Sequence, residues 1–320
     1  TLAGPYNDAN SALTNNDKFT LLRINGMNRY RVKDCSFKDA WTAIWIDDHV
    51  GGEDCDFGTI ENCYGNDLVT GVFMVAGGNI QDGSLGGAIP EKTSTGINVS
   101  SWAANEELTF TWTTANTMYQ SGDVVSFSGT GTELDDNYFC LEYISSTSGK
   151  IVVKEYTGGT GAQTGTVRFG NTVYKIEDGH VKIANTRNSG STYGAICSGT
   201  SGGVSIISNG WEGAGTAVCF HGTHTYGDAD NATIVGNIFT SFDVGMSFGM
   251  LASNITHGFN VFENVTTELF DEGTRTNDGT RLNPGFESRI GGVTDFLGFN
   301  AQSSTDDRLN YPSVYVTKEN

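Results

Sequence analysis

Proline is scarce here: only four interrupt a chain of 320 residues that carries 43 glycines. That balance speaks against a disordered polymer. Basic residues are also few, 18 against 37 acidic ones, for a net charge of −19. So acidic a chain is a poor partner for nucleic acid or an anionic membrane surface. No apolar run is long enough to span a bilayer, and no signal-peptide pattern occurs, so membrane insertion is not expected. Six cysteines, at 35, 55, 63, 140, 197 and 219, lack the spacing of a metal finger. No metal or cofactor is expected from them. An initiator Met is missing and the chain opens inside a polar segment, as a piece of a longer polypeptide would.

What the chain does have is repetition. Val204-Ser-Ile206-Ile-Ser-Asn209 is echoed by Ala232-Thr-Ile234-Val-Gly-Asn237 and by Val261-Phe-Glu-Asn264. An aliphatic residue precedes asparagine by three places each time, at steps of 28 and 27 residues. Second apolar pieces follow: Thr216–Phe220, Val244–Phe248 and 267–270. Two short strands per period of this size are the mark of a solenoid. Equivalent residues in a parallel stack lie about 4.8 Å apart. Stacked asparagines then bond amide to amide and tolerate the left-handed corner a tight bend needs.

The period reappears near the start. Val32-Lys-Asp-Cys35 matches Ile60-Glu-Asn-Cys63 at 28 residues, and Trp41-Thr-Ala-Ile-Trp-Ile46 matches Val69-Thr-Gly-Val-Phe-Met74 at the same step. Cysteine here takes the place of asparagine. Cys197 and Cys219 sit in near-copies, Ala-Ile-Cys and Ala-Val-Cys, and all these thiols read as packed and free.

Residues 1–18 are polar and turn-rich, a connection. Strand-and-turn chain then runs over 19–96. Residues 97–169 differ: alternating strands such as Leu108-Thr-Phe-Thr-Trp112 and Tyr138-Phe-Cys-Leu-Glu-Tyr143 are divided by Gly-Asp, Asp-Asp-Asn and Ser-Gly turns. They predict a small antiparallel β-domain, inserted in the repeats and projecting from one face. The repeats resume over 170–272, and 273–320 forms a cap or connection. The expected fold is all-β: a right-handed parallel β-helix of about 22–28 residues per coil with that insert.

This arrangement, with its Asn and Cys ladders, resembles bacteriophage tailspike and tail-fibre proteins and, more distantly, pectate-lyase-like enzymes. The insert resembles a small β-domain recurrent in phage tail proteins, through Asp123-Val-Val-Ser-Phe127, Asn137-Tyr-Phe139 and Ser148-Gly-Lys-Ile-Val152. The resemblance covers about residues 19–270. It implies a homotrimeric spike in the virion tail, assembled in the host cytoplasm beside other tail proteins. It would bind bacterial surface polysaccharide, and often cleave it as a depolymerase. Alternatives are a structural or adhesive virion β-helix without cleavage, and a secreted polysaccharide lyase or hydrolase. The basic residue and Ca²⁺-binding carboxylates of pectate lyases are absent in matching context.

Register picks out the candidate site. Aligning the second strands places Thr42, Ile44, Ile46, Val218, Phe220, Met246 and Phe248 inside, and Trp41, Trp45 and Phe73 outside. The outward aromatics are expected to form one strip, either a sugar-stacking platform or a face covered by the insert or a neighbouring subunit. Asp39 stacks on Asp67 at the 28-residue step. Carboxyls about 5 Å apart split their pKa values and suit a retaining glycosidase, whereas turn aspartates ordinarily bond nearby backbone N–H groups. Asp47 and Asp48 follow the Trp45 strand as further candidate acids, and Trp211 with Glu212 is another aromatic-plus-acid pair. The His221–Asp230 loop matches no specific metal motif. Asn264, one of four sequons, is expected to be a buried ladder residue.

Overall fold

The computed structural model describes residues 2–3, 20–27, 29–47, 58–75, 77–86, 92–102, 106–115, 121–170, 172–177, 180–188, 195–197, 203–222, 229–273 and 277–278. The chain is all-β: among these residues every regular element is a strand. Among the described residues no helix is long and apolar enough to cross a membrane.

Three larger sheets, and the two-stranded pair Ala229–Asp230 with Ala252–Ser253, are built by parallel pairing. The first carries the long strands Ser36–Asp47 and Tyr64–Met74, then Thr172–Ile176, Ala195–Cys197, Thr216–Phe220, Val244–Phe248 and Thr267–Asp271. The second runs from Arg31–Lys33 through Gly58–Glu61, Gly78–Gln81, Val181–Ala184, Val204–Ile207 and Ala232–Val235 to Thr256–Gly258 and Asn277–Asp278. The third holds Arg187–Asn188, Gly210–Glu212, Ile238–Thr240 and Val261–Glu263.

Register explains why these short strands hold together. Val32, Ile60, Ile80, Ile183, Ile206 and Ile234 are successive partners in the second sheet. All are buried in one core with Phe220, Phe248 and Phe239 from the other two sheets. Gly58, two residues before Ile60 and paired with Gly78, has to be glycine. A Cβ there would fall 1.8 Å from the Tyr30 ring, which fills the space from the repeat before.

After each such strand the chain turns through a left-handed residue: Asp34, Asn62, Asp82, Asn185, Ser208, Gly236 and Phe259, with φ between 53° and 69°. Asp, Asn and Gly bear that conformation readily, and Phe does not. The next residue is the ladder. Asn209 Nδ2 donates to Asn237 Oδ1 at 3.0 Å, and Asn237 Nδ2 donates to Asn260 Oδ1 at 3.0 Å. Each amide also donates to the carbonyl of the inner row, Ile183, Ile206 and Ile234 in turn. Thr186 closes the run on Asn209 Oδ1.

The third rung is therefore Asn260 and not Asn264. The step from 237 is 23 residues, and His257 stands where Ile234 stood one repeat earlier. Asn264 lies exposed at a second left-handed corner, and Val261 is 48% exposed. A polar residue in the inner row hid this repeat, so the sequence match slid four places to the next aliphatic–asparagine pair.

Antiparallel strands occupy the span between two parallel ones, from Lys92–Thr95 to Thr166–Gly170. They form a four-stranded and a five-stranded sheet around Phe110, Phe127, Phe139 and Phe169. Far from projecting, this unit lies on the outer side of the first sheet. Trp41 and Val69 are part of its core. Cys219 and Val244 pack with its Val124, Tyr138 and Cys140. The outward positions Cys219 and Ser247 are both buried, as their small side chains allow, the first against the insert and the second with its hydroxyl on His221. Cys35, Cys63, Cys140 and Cys219 are free thiols.

Candidate functional site

Outside the core, the first sheet carries one row of register partners: Arg23, Trp45, Phe73 and Lys175. The Trp45 and Phe73 rings lie 5.2 Å apart, tilted by 32°. The Arg23 guanidinium carbon sits 4.5 Å above the Trp45 ring, a cation–π contact, and the same group pairs with Asp47. Lys175 is wholly buried, its Nζ 2.6 Å from Oδ1 of the equally buried Asp123 on the insert. Two aromatic rings are therefore flanked by two cations along the stack.

Two residues further along these strands the row turns acidic. Val75 N–H donates to Ile46 C=O and Glu177 N–H to Met74 C=O, which brings Asp47, Val75 and Glu177 into line. Burial pushes the Glu177 carboxyl up to about 7. The Lys175 ammonium pulls the other way, and the Asp47 charge adds to the rise. Near neutrality Glu177 can hold or release a proton, while Asp47 faces a guanidinium. Two repeat steps separate them, about 10 Å backbone to backbone. Inverting glycosidases pair a carboxylic acid with a carboxylate base that activates a water.

Glu177 was not among the residues that sequence singled out. Its strand, Thr172–Ile176, resumes the pattern directly after the insert, with Tyr174, Lys175 and Ile176 paired to Val72, Phe73 and Met74. Matching Tyr-Lys-Ile to Val-Phe-Met across the insert would have found it. The long gap and the polar Lys175 concealed the match.

The structure separates the other candidates. Asp39 and Asp67 do stack, flanked by the pairs Lys38–Asn66 and Ala40–Leu68. Both occupy left-handed corners, φ 54° and 55°, and Asp39 lies 3.7 Å from the Lys38 ammonium. That placement is sufficient reason for an aspartate there. Trp41 is 8% exposed within the insert's core and Phe73 is 6% exposed, so neither is an open platform. Of the three aromatics expected outside, only Trp45 is partly exposed. Trp211 is likewise a core residue, 3% exposed, between Tyr174 and Phe239 with its indole N–H toward Thr186 Oγ1. Its strand alternates, and Glu212 takes the outward place instead. Asp48 falls outside the described residues.

His221 is buried, with Nε2 2.7 Å from Ser247 Oγ and its ring between Phe139 and Phe270. Burial pulls it down to about 3, so it is a neutral packing residue. His224 and Asp228 fall outside the described residues. Among the described residues, no group of three or more His, Cys, Asp or Glu side chains is placed to hold a metal ion.

No known protein family matches this chain, and no curated protein does. Among solved structures it is similar to the Gp54 tailspike of Acinetobacter baumannii bacteriophage AP22, in complex with A. baumannii capsular saccharide. The two are 6% identical with a TM-score of 0.21, over 64% of this chain and 45% of that one. This chain thus spans less than half of that structure. So slight a likeness carries no argument about ligand or mechanism.

Proposed function

We propose that this chain is a segment of a phage tailspike or tail fibre that recognises bacterial surface polysaccharide. In this reading the three parallel sheets are the faces of a right-handed β-helix, the antiparallel unit is its insert, and the spike is a homotrimer. The carrying observation is the outward row in which Trp45 and Phe73 lie between cations and run into Asp47 and Glu177. The partly exposed Trp45 ring, backed by the buried Phe73, suits the C–H face of a sugar, and flanking charged groups suit hydroxyls. Arg23 is half exposed on its side-chain atoms and can swing off the Trp45 face when a sugar takes its place. Glu177 as acid and Asp47 as base would then cleave the bound glycan.

The row favours a second reading in one respect. Trp45 is already stacked on both sides, by Arg23 and by Phe73, as a purely structural virion β-helix would have it. A glycan array decides between them. On the first reading the wild-type chain binds surface polysaccharides, Trp45→Ala loses that binding with an unchanged melting temperature, and Glu177→Gln binds without releasing reducing ends. Binding that survives Trp45→Ala, or no binding by wild type, would overturn it.

A further inference from the structure

On the third sheet, away from the Trp45 row, lies a groove of about 740 Å³ lined by Asn185, Arg187, Ser208, Gly210, Glu212 and Ile238, among others. Its hollow exists because a side chain is missing. Arg187, Gly210, Ile238 and Val261 are register partners, and only Gly210 leaves the wall bare. The fold does not ask for glycine at that place. Its φ is not left-handed, and an added Cβ would meet nothing closer than Arg187 Cγ at 3.9 Å. Gly236, across the corner, is different: its φ of 69° needs glycine. A strand glycine without a backbone or packing reason weakens the strand by about 0.5–1 kcal/mol relative to alanine. Such glycines often mark the close approach of a ligand.

We propose that this groove binds a sugar unit carrying a carboxylate, held by Arg187 over Gly210. The inference rests on the reading of this chain as a polysaccharide binder, but uses a different surface. Arg187 is exposed and makes no ion pair among the described residues, in a chain with twice as many acids as bases. A guanidinium takes a carboxylate through two parallel hydrogen bonds. Glu212 lies two residues along and one repeat over, about 8 Å away backbone to backbone. That is the reach of a hydroxyl on the far side of the same pyranose. Asn185 and Ser208 add donors and acceptors along the rim, and Ile238, 45% exposed, gives an apolar wall.

Isothermal titration with tri-galacturonate, a hyaluronan tetrasaccharide and neutral maltotriose tests this on the full chain. At least one acidic oligosaccharide should bind wild type, and maltotriose should not. Gly210→Phe, which fills the hollow, should abolish that binding. Arg187→Ala should weaken it at least tenfold. The proposal is overturned if neither acidic probe binds, if maltotriose binds equally well, or if Arg187→Ala binds like wild type. Should Gly210→Phe fail to fold, the Arg187→Ala arm still decides. Whole-polysaccharide binding that is lost in Trp45→Ala but unmoved by Arg187→Ala would sink the groove while keeping the other face.

Discussion

A single side-chain amide can hold two repeats together. Asn237 Oδ1 accepts from both the backbone N–H and the side chain of Asn209, while its own Nδ2 donates to Ile206 C=O and Asn260. Asn237→Ala would strand several buried partners, each worth about 1–3 kcal/mol when unsatisfied. We expect a loss of about 3–5 kcal/mol in urea unfolding. Asn264→Ala, at an exposed corner, should stay within about 0.5 kcal/mol. Equal effects at the two positions would mean the ladder is misplaced.

Two buried titratable groups act in opposite directions with pH. His221 is held near 3 against an ordinary 6.5, so the unfolded chain binds the extra proton between those values. Stability therefore falls as pH drops below 6.5, by at most about 5 kcal/mol once pH is under 3. Glu177 is raised from 4.5 to about 7, so the folded chain holds the extra proton. Its contribution is complete below 4.5 and is lost as pH rises through 7. Melting curves across pH 4–8 should show His221→Gln flattening the acid side and Glu177→Gln flattening the neutral side. An unchanged profile in either variant would count against its buried state.

At the scale of elements, the join between the insert and the first sheet is an ion pair and a shared core. Removing one partner of Lys175–Asp123 leaves a buried charge, so Asp123→Ala should destabilise by about 3–5 kcal/mol. The double change Lys175→Met with Asp123→Leu should recover most of that. Additive losses in the double variant would show that the pair is not coupled. Trp41→Ala should also destabilise by about 3–5 kcal/mol, through a cavity in the insert's core rather than in the parallel sheets.

For the whole molecule, the shared surfaces mean the insert is not a detachable module. Trp41, Val69, Cys219 and Val244 all face it and are each at most 8% exposed. Excising residues 92–170 would bare that strip on a sheet otherwise made for burial. We expect the shortened chain to bind a hydrophobic dye and to run as aggregates in size-exclusion chromatography. A soluble species of normal size and melting temperature would show that the insert merely rests on the sheet.

Much of this was open to sequence, because each repeat carries its own local reasons. Strand alternation, the Asx corners and the 28-residue match of Trp45 to Phe73 are written in short segments, and the all-β class follows from them. What sequence could not decide is whatever depends on partners distant in the chain. The ladder rung at Asn260 needs the pairing that puts His257 beside Ile234. The acidity of Glu177 arises only when burial and Asp47 meet across the inserted segment. Whether Trp41 or Trp45 faces solvent turns on where the insert lies, and Trp41 is taken while Trp45 is stacked by its neighbours. Periodicity fixes which way a side chain points, and only tertiary packing determines what it meets there.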